Sequence, residues 1–218
     1  MANLARIDQR IAARHLLRHP FYLSWTAGTL PRESLLEYAR QYFAFESNLP
    51  RYLTAMHARS ESPRVRAALL ANAWDEEHGE QNHAELWLPF AGSLGLSRGE
   101  VEKATRSPAT RTLVDTYWAA ASPAPVEGGV AALHAYESQL PAASESKWWG
   151  SNVTTAYRVT RWRSSRCIAR STFTTPPRSE RSSRMRRRPT MRRSRGPTMR
   201  STRGGDFLSS FHAGDCAA

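Results

Sequence analysis

The run from Trp74 to Trp87, WDEEHGEQNHAELW, constrains this chain more than any other stretch. Read as one helix, it places Leu69, Ala73, Glu76, Glu80, His83 and Trp87 on one side, at steps of three or four. Apolar residues at both ends of that stripe turn it towards a core. Two carboxylates and an imidazole in its middle are then carried inward, where an ionised carboxylate is costly unless paired or bound to a metal. The pattern predicts a metal site inside a helical bundle. The competing reading is an acidic helix surface with His83 exposed.

A second inward carboxylate comes from a separate segment. After Pro123 and Pro125, residues Val126, Val130, Leu133, Glu137 and Leu140 follow strict four-three spacing, and Glu137 takes an apolar seam position. Other helices are marked by their ends. Leu4, Ile7, Ile11 and Leu16 give a first amphipathic helix that breaks near His19-Pro20, and a short segment from Phe21 to Trp25 closes at Gly28. A third helix starts around Thr29 to Pro31 and runs through Glu46 towards a break at Pro50, with a further turn from Tyr52 to His57. Ser62-Pro63 opens the long helix carrying the Trp74 stretch. Ser97 with Glu100 forms a capping-box pattern, and Ser107-Pro108 opens another helix. No strand, phosphate loop or repeat is evident, so the first 147 residues read as all-α.

The overall charge of +12 suggests a nucleic-acid binder, but the average misleads. Residues 1–147 carry 15 Lys+Arg and 16 Asp+Glu, whereas residues 148–218 carry 16 Arg against Glu180, Asp206 and Asp215. Both cysteines, Cys167 and Cys216, also lie in the second part and build no metal or disulfide framework. The chain therefore divides into a helical domain, 1–147, and an Arg-rich tail, 148–218. No signal pattern or membrane-length apolar run is seen, so a cytoplasmic protein without membrane association is expected.

Taken literally, the tail is a disordered basic arm that would hold nucleic acid non-specifically. A second explanation is translation in the wrong frame, because Arg without Lys, with Ser, Thr, Pro and Gly, is what misread GC-rich DNA gives. Starting each codon at the third base of the preceding one permits His, Asp and His in the slots of Cys167, Ser171 and Thr174. The residues between them regain an amphipathic pattern.

Several motifs together resemble the heme-oxygenase-like di-metal oxidases with the TenA/PqqC-like fold, and among them the chlamydial-type p-aminobenzoate synthases. They are His19-Pro20-Phe21-Tyr22, the Trp74 to Trp87 stretch, Tyr136-Glu137-Ser138-Gln139 and Ser144-Glu145-Ser146-Lys147. The resemblance implies an enzyme of folate biosynthesis on a seven- or eight-helix bundle. Two metal ions, iron or an iron–manganese pair, would be ligated by Glu76, His83 and Glu137, with dioxygen as co-substrate. It implies three further ligands from a His-x3-Asp-x2-His helix, which is absent as written and is the pattern the frame reading recovers. It also makes Tyr22 and Lys147 the catalytic residues, consumed to supply an aromatic ring and its amine, so the substrate is a small molecule or the protein's own side chains.

Glu80, Tyr136 and Glu46 are expected around the ligands rather than among them. Local geometry alone leaves Glu80 open as a ligand, through Glu-x-x-His spacing with His83. His134, one turn before Glu137, could be structural or functional, and Glu77 and His78 point off the stripe. The rival readings are a metal-free PqqC-like oxidase and a helical binding protein with a nucleic-acid-binding tail. A homodimer is a candidate assembly.

Overall fold

The computed structural model describes residues 2–80, 82–123, 125–140 and 203–211. All regular structure in them is helical, as expected. Helices α1 (Ala2–Ala13) and α2 (Pro20–Thr26) flank a 3-10 turn, Leu16–Arg18; α3 (Arg32–Glu46), α4 (Leu49–Arg59) and α5 (Pro63–Glu77) follow. Next come α6 (His83–Ser93), α7 (Arg98–Glu102), α8 (Pro108–Ala121), α9 (Glu127–Glu137) and, far along the chain, α10 (Arg203–Ser209).

The helix starts are set by local chemistry. Ser62, Ser97 and Ser107 accept from the backbone N–H three residues on, satisfying donors that a helix leaves open at its first turn. Pro63 and Pro108 sit in first turns, where their missing N–H costs nothing. Pro50 does the same in α4, so the expected single turn from Tyr52 to His57 is a full helix. At Ser97 the capping box is complete, with Glu100 accepting from the Ser97 N–H.

The core lies between α3, α4, α5, α6, α8 and α9, and α4 with α5 forms the most extensive helix contact. Trp87 is fully buried and donates from Nε1 to the Ala39 carbonyl at 2.8 Å, tying α6 to α3. Around it the aromatic side chains of α2 and α3 pack edge to face: Phe21 on Trp25 at 5.7 Å, Trp25 on Tyr38 at 5.5 Å.

Residues 203–211 fall in the stretch read as an unstructured arm, and there the structure differs. Phe207, Leu208 and Phe211 are buried, with Phe211 against Phe21 at 6.0 Å and His19 Nε2 against Ser209 Oγ at 3.0 Å. Three apolar side chains on one short helical face, meeting aromatic rings of α2 and α3, are what order this segment. Most of the tail, and Lys147, lie outside the described residues.

Candidate metal centre

The Trp74 to Trp87 stretch is two helices rather than one. α5 ends at Glu77, and Gly79 takes a φ of +80°, a left-handed conformation that glycine adopts without a Cβ penalty. α6 begins at His83, where Asn82 accepts from the Glu85 N–H at 3.0 Å as its cap. In one straight helix Glu76 and His83 would stand about 10 Å apart along the axis. The break folds them together: His83 Nδ1 and Glu76 Oε2 are 2.7 Å apart, with both side chains buried.

The same break displaces Glu80. It sits exposed on the turn between the helices, so the stripe that placed it beside His83 ends at Glu76. The carboxylate that meets the His83 ring is Glu76. Glu77 and His78 are exposed, as expected.

Two more carboxylates are buried in the same domain. Glu46 closes α3 and Glu137 closes α9, each 1% exposed. Glutamates are almost never fully buried unless paired, so Glu46, Glu76 and Glu137 in one small core are an exceptional investment. Glu137 is felt at Tyr117: burial pushes that phenol well above its ordinary range, and Tyr52 and the Glu137 charge push it further. Tyr136, half-buried beside Glu137, shares a hydrogen bond between hydroxyls with Tyr42 and packs on Phe45 at 4.8 Å. His134 turns away from this seam towards α1, where its Nε2 meets Asp8 Oδ1 at 2.8 Å.

Tyr22 is buried in α2 and stacked on Trp25 at 6.0 Å. Burial raises its phenol above the ordinary value, more than a hydrogen bond with Tyr38 lowers it. Sequence reasoning missed Asn72. It lies on the inner face of α5 one turn before Glu76, is 1% exposed, and its amide has no hydrogen-bond partner among the described residues. Its place on the Leu69, Ala73, Glu76 stripe was the available signal.

Carboxylates and an imidazole on inward helix faces are the donors that iron or manganese take. Among the described residues, no three His, Cys, Asp or Glu side chains converge closely enough to hold an ion by themselves. The donors fit such an ion in kind and fall short in number.

The model of the TENA/THI-4/PQQC family matches residues 4–152. Over 147 residues the chain is 39% identical to the 4-aminobenzoate synthase of Chlamydia muridarum, covering 67% of this chain and 62% of that protein. It is 43% identical over 145 residues to the 4-aminobenzoate synthase of Nitrosomonas europaea, covering 62% and 59%. A pyrroloquinoline-quinone synthase of Pseudomonas aeruginosa is 29% identical over 104 residues, covering 46% and 42%. The chain thus spans about three fifths of the two 4-aminobenzoate synthases. Among solved structures, a TenA family transcription regulator from Silicibacter sp. TM1040 superposes with a TM-score of 0.60 at 19% identity, over 76% of this chain and 74% of that one, a likeness of fold. No described helix is long and apolar enough to cross a membrane.

Proposed function

The chain belongs to the TENA/THI-4/PQQC family, and from that premise we propose that it is an oxygen-dependent di-metal oxidase of the 4-aminobenzoate-forming type. The observation that carries this reading is the buried Glu76–His83 contact, in a core that also buries Glu137. Glu76, His83 and Glu137 would hold the ions, iron first and an iron–manganese pair second. Bound there, the ions would supply the redox chemistry that reduces dioxygen.

The chain's own residues set the terms. With its proton on Nδ1, His83 donates to Glu76, which fixes the ring and leaves Nε2 as the donor atom for a metal. Tyr22 would be consumed for the aromatic ring, and its burial further disfavours the phenolate. Lys147 would give the amine. The lower identity to pyrroloquinoline-quinone synthases keeps a metal-free oxidase as the second reading.

Three further ligands would come from a His-x3-Asp-x2-His helix encoded in the alternative frame of the tail. As written, the chain carries half of the ligand set and is expected to bind metal weakly. Metal analysis of the purified chain tests this, and two firmly bound irons per protein would refute it. Sequencing the gene across codons 140–220 tests the frame, and the absence of an alternative open frame there would end that explanation. The frame-restored protein is expected to form p-aminobenzoate with iron, reductant and oxygen. A Tyr22→Phe change in it should abolish product, and full activity would exclude Tyr22 as the ring source.

A further inference from the structure

The sequence of α10, RGGDFLS, is a poor helix former on its own. So short a helix does not offset the cost of its own nucleation in water, and two adjacent glycines raise that cost. Its order therefore comes from what it touches. Asp206, Ser209 and Ser210 are exposed, while Phe207, Leu208 and Phe211 are buried in a helix that lies on α8 and α2. The two phenyl rings meet edge to face at 4.9 Å and cover one target: Phe211 stands 5.7 Å from Tyr38, and Phe207 stands 6.3 Å from it. Phe211 also packs on Phe21, the neighbour of Tyr22, and Tyr38 is hydrogen-bonded to Tyr22. A polar contact accompanies the rings. His19 Nδ1 accepts from the Phe21 N–H at the start of α2, so the neutral ring donates from Nε2 to Ser209 Oγ, 3.0 Å away.

We propose that α10 is an exchangeable plug, a segment that becomes helical on docking and closes the α2–α3 aromatic face over the Tyr22–Tyr38 pair. Docked, it leaves Tyr38 1% exposed and Phe21 fully buried, and it keeps small solutes from Tyr22 on that side. Undocked, it opens the same face. Three buried side chains, set against the entropy of ordering the segment, leave a small net preference for docking, so both states are populated. The consequence for Tyr22 rests on the reading of that residue as the ring source; the docking does not.

A permanent core helix is built differently. α4 buries Leu49, Tyr52, Leu53 and Met56 along its length and contains no glycine, whereas the hydrogen bond that ties α10 to His19 lies at the surface. The groove selects its occupant by shape and polarity. It takes two rings one turn apart, a leucine beside the first, and a hydroxyl within reach of His19, all of which Phe207 to Phe211 supply. The Arg-rich run from Met185 to Arg193 has no ring to place there.

Hydroxyl-radical footprinting of the full chain, read by mass spectrometry, measures docking without turnover. A plug that fails and a Tyr22 that is never consumed therefore give different results. Phe207→Asp with Phe211→Asp should raise oxidation of Phe21 and Tyr38 about threefold or more, while Met56, buried in α4, keeps its protection. A synthetic peptide of residues 201–213, added to that variant, should restore the protection; the same peptide with Phe211→Asp should not. Gly204→Ala with Gly205→Ala keeps the apolar face and favours the helix, so oxidation of Phe21 and Tyr38 should fall below the parent's. In the parent chain, the amides of Ser210 and Phe211 should exchange about 100-fold or more faster than those of Leu53 and Met56. Phe21 and Tyr38 that stay protected in the Asp variant overturn the proposal. So does a loss of Met56 protection alongside theirs, which would make α10 part of the main core. A peptide that restores nothing, an Ala pair at or above the parent's oxidation, or exchange in α10 as slow as in α4 overturns it equally.

Discussion

Helices α4 and α5 pack against each other over most of their length, yet they obey opposite rules. α4 buries Leu49, Tyr52, Leu53 and Met56 and leaves Arg51 and Arg59 exposed, as an amphipathic helix should. α5 buries Asn72 and Glu76 among its inward residues and presents Leu70 and Trp74 to solvent. One helix contributes stability, and its neighbour gives some up on both faces. Departures of this kind are retained where a side chain has work other than packing. On α5 the inner departure lies at the proposed centre.

The contrast can be broken by substitution, and the largest effect belongs to α4. Leu53 is fully buried, so Leu53→Ala should cost about 2–5 kcal/mol in urea unfolding. A cost under 1 kcal/mol would mean that α4 is not the packed side. Gly129→Ala tests the same packing from α9. A Cβ there runs into Met56 Sδ and comes within 2.9 Å of the Ala120 carbonyl oxygen, so a loss of about 1–3 kcal/mol is expected. On the inner face of α5 the sign should invert. Asn72→Leu exchanges an unpartnered buried amide for an apolar group of similar size and should raise stability by about 1 kcal/mol. A comparable fall in melting temperature would show the amide to be satisfied by bound water. The smallest effect is expected on the outer face, where Leu70→Ala at low protein concentration should stay within about 0.5 kcal/mol of the parent.

Much of the fold was legible because helix starts are written locally. Ser62, Ser97 and Ser107 each cap the helix that the sequence predicts, and the seam through Val130, Leu133 and Glu137 is buried. The break at Gly79 was misread because Glu80 continued the helical spacing by coincidence. The cue against it was Asn82 with Glu85 three residues on, an N-cap signature inside the supposed helix. For the site, spacing was enough to bring Glu76, His83 and Glu137 inward. It could not say which carboxylate meets the imidazole, since that depends on the turn. Asn72 lay on the right face, but whether a buried amide finds a partner is decided by tertiary neighbours. Helix α10 was hidden because three apolar residues at 207, 208 and 211 are too few to set a period.

The left-handed turn at Gly79 also fixes an order in time. Glu76 and His83 are seven residues apart, and the loop between them is of a size that closes in about 10–100 ns. At about 5–20 residues per second, a ribosome delivers Glu137 seconds after both have emerged. A newly made chain can therefore close the acid–imidazole clasp while it is still wet, seconds before the buried carboxylate of α9 is made.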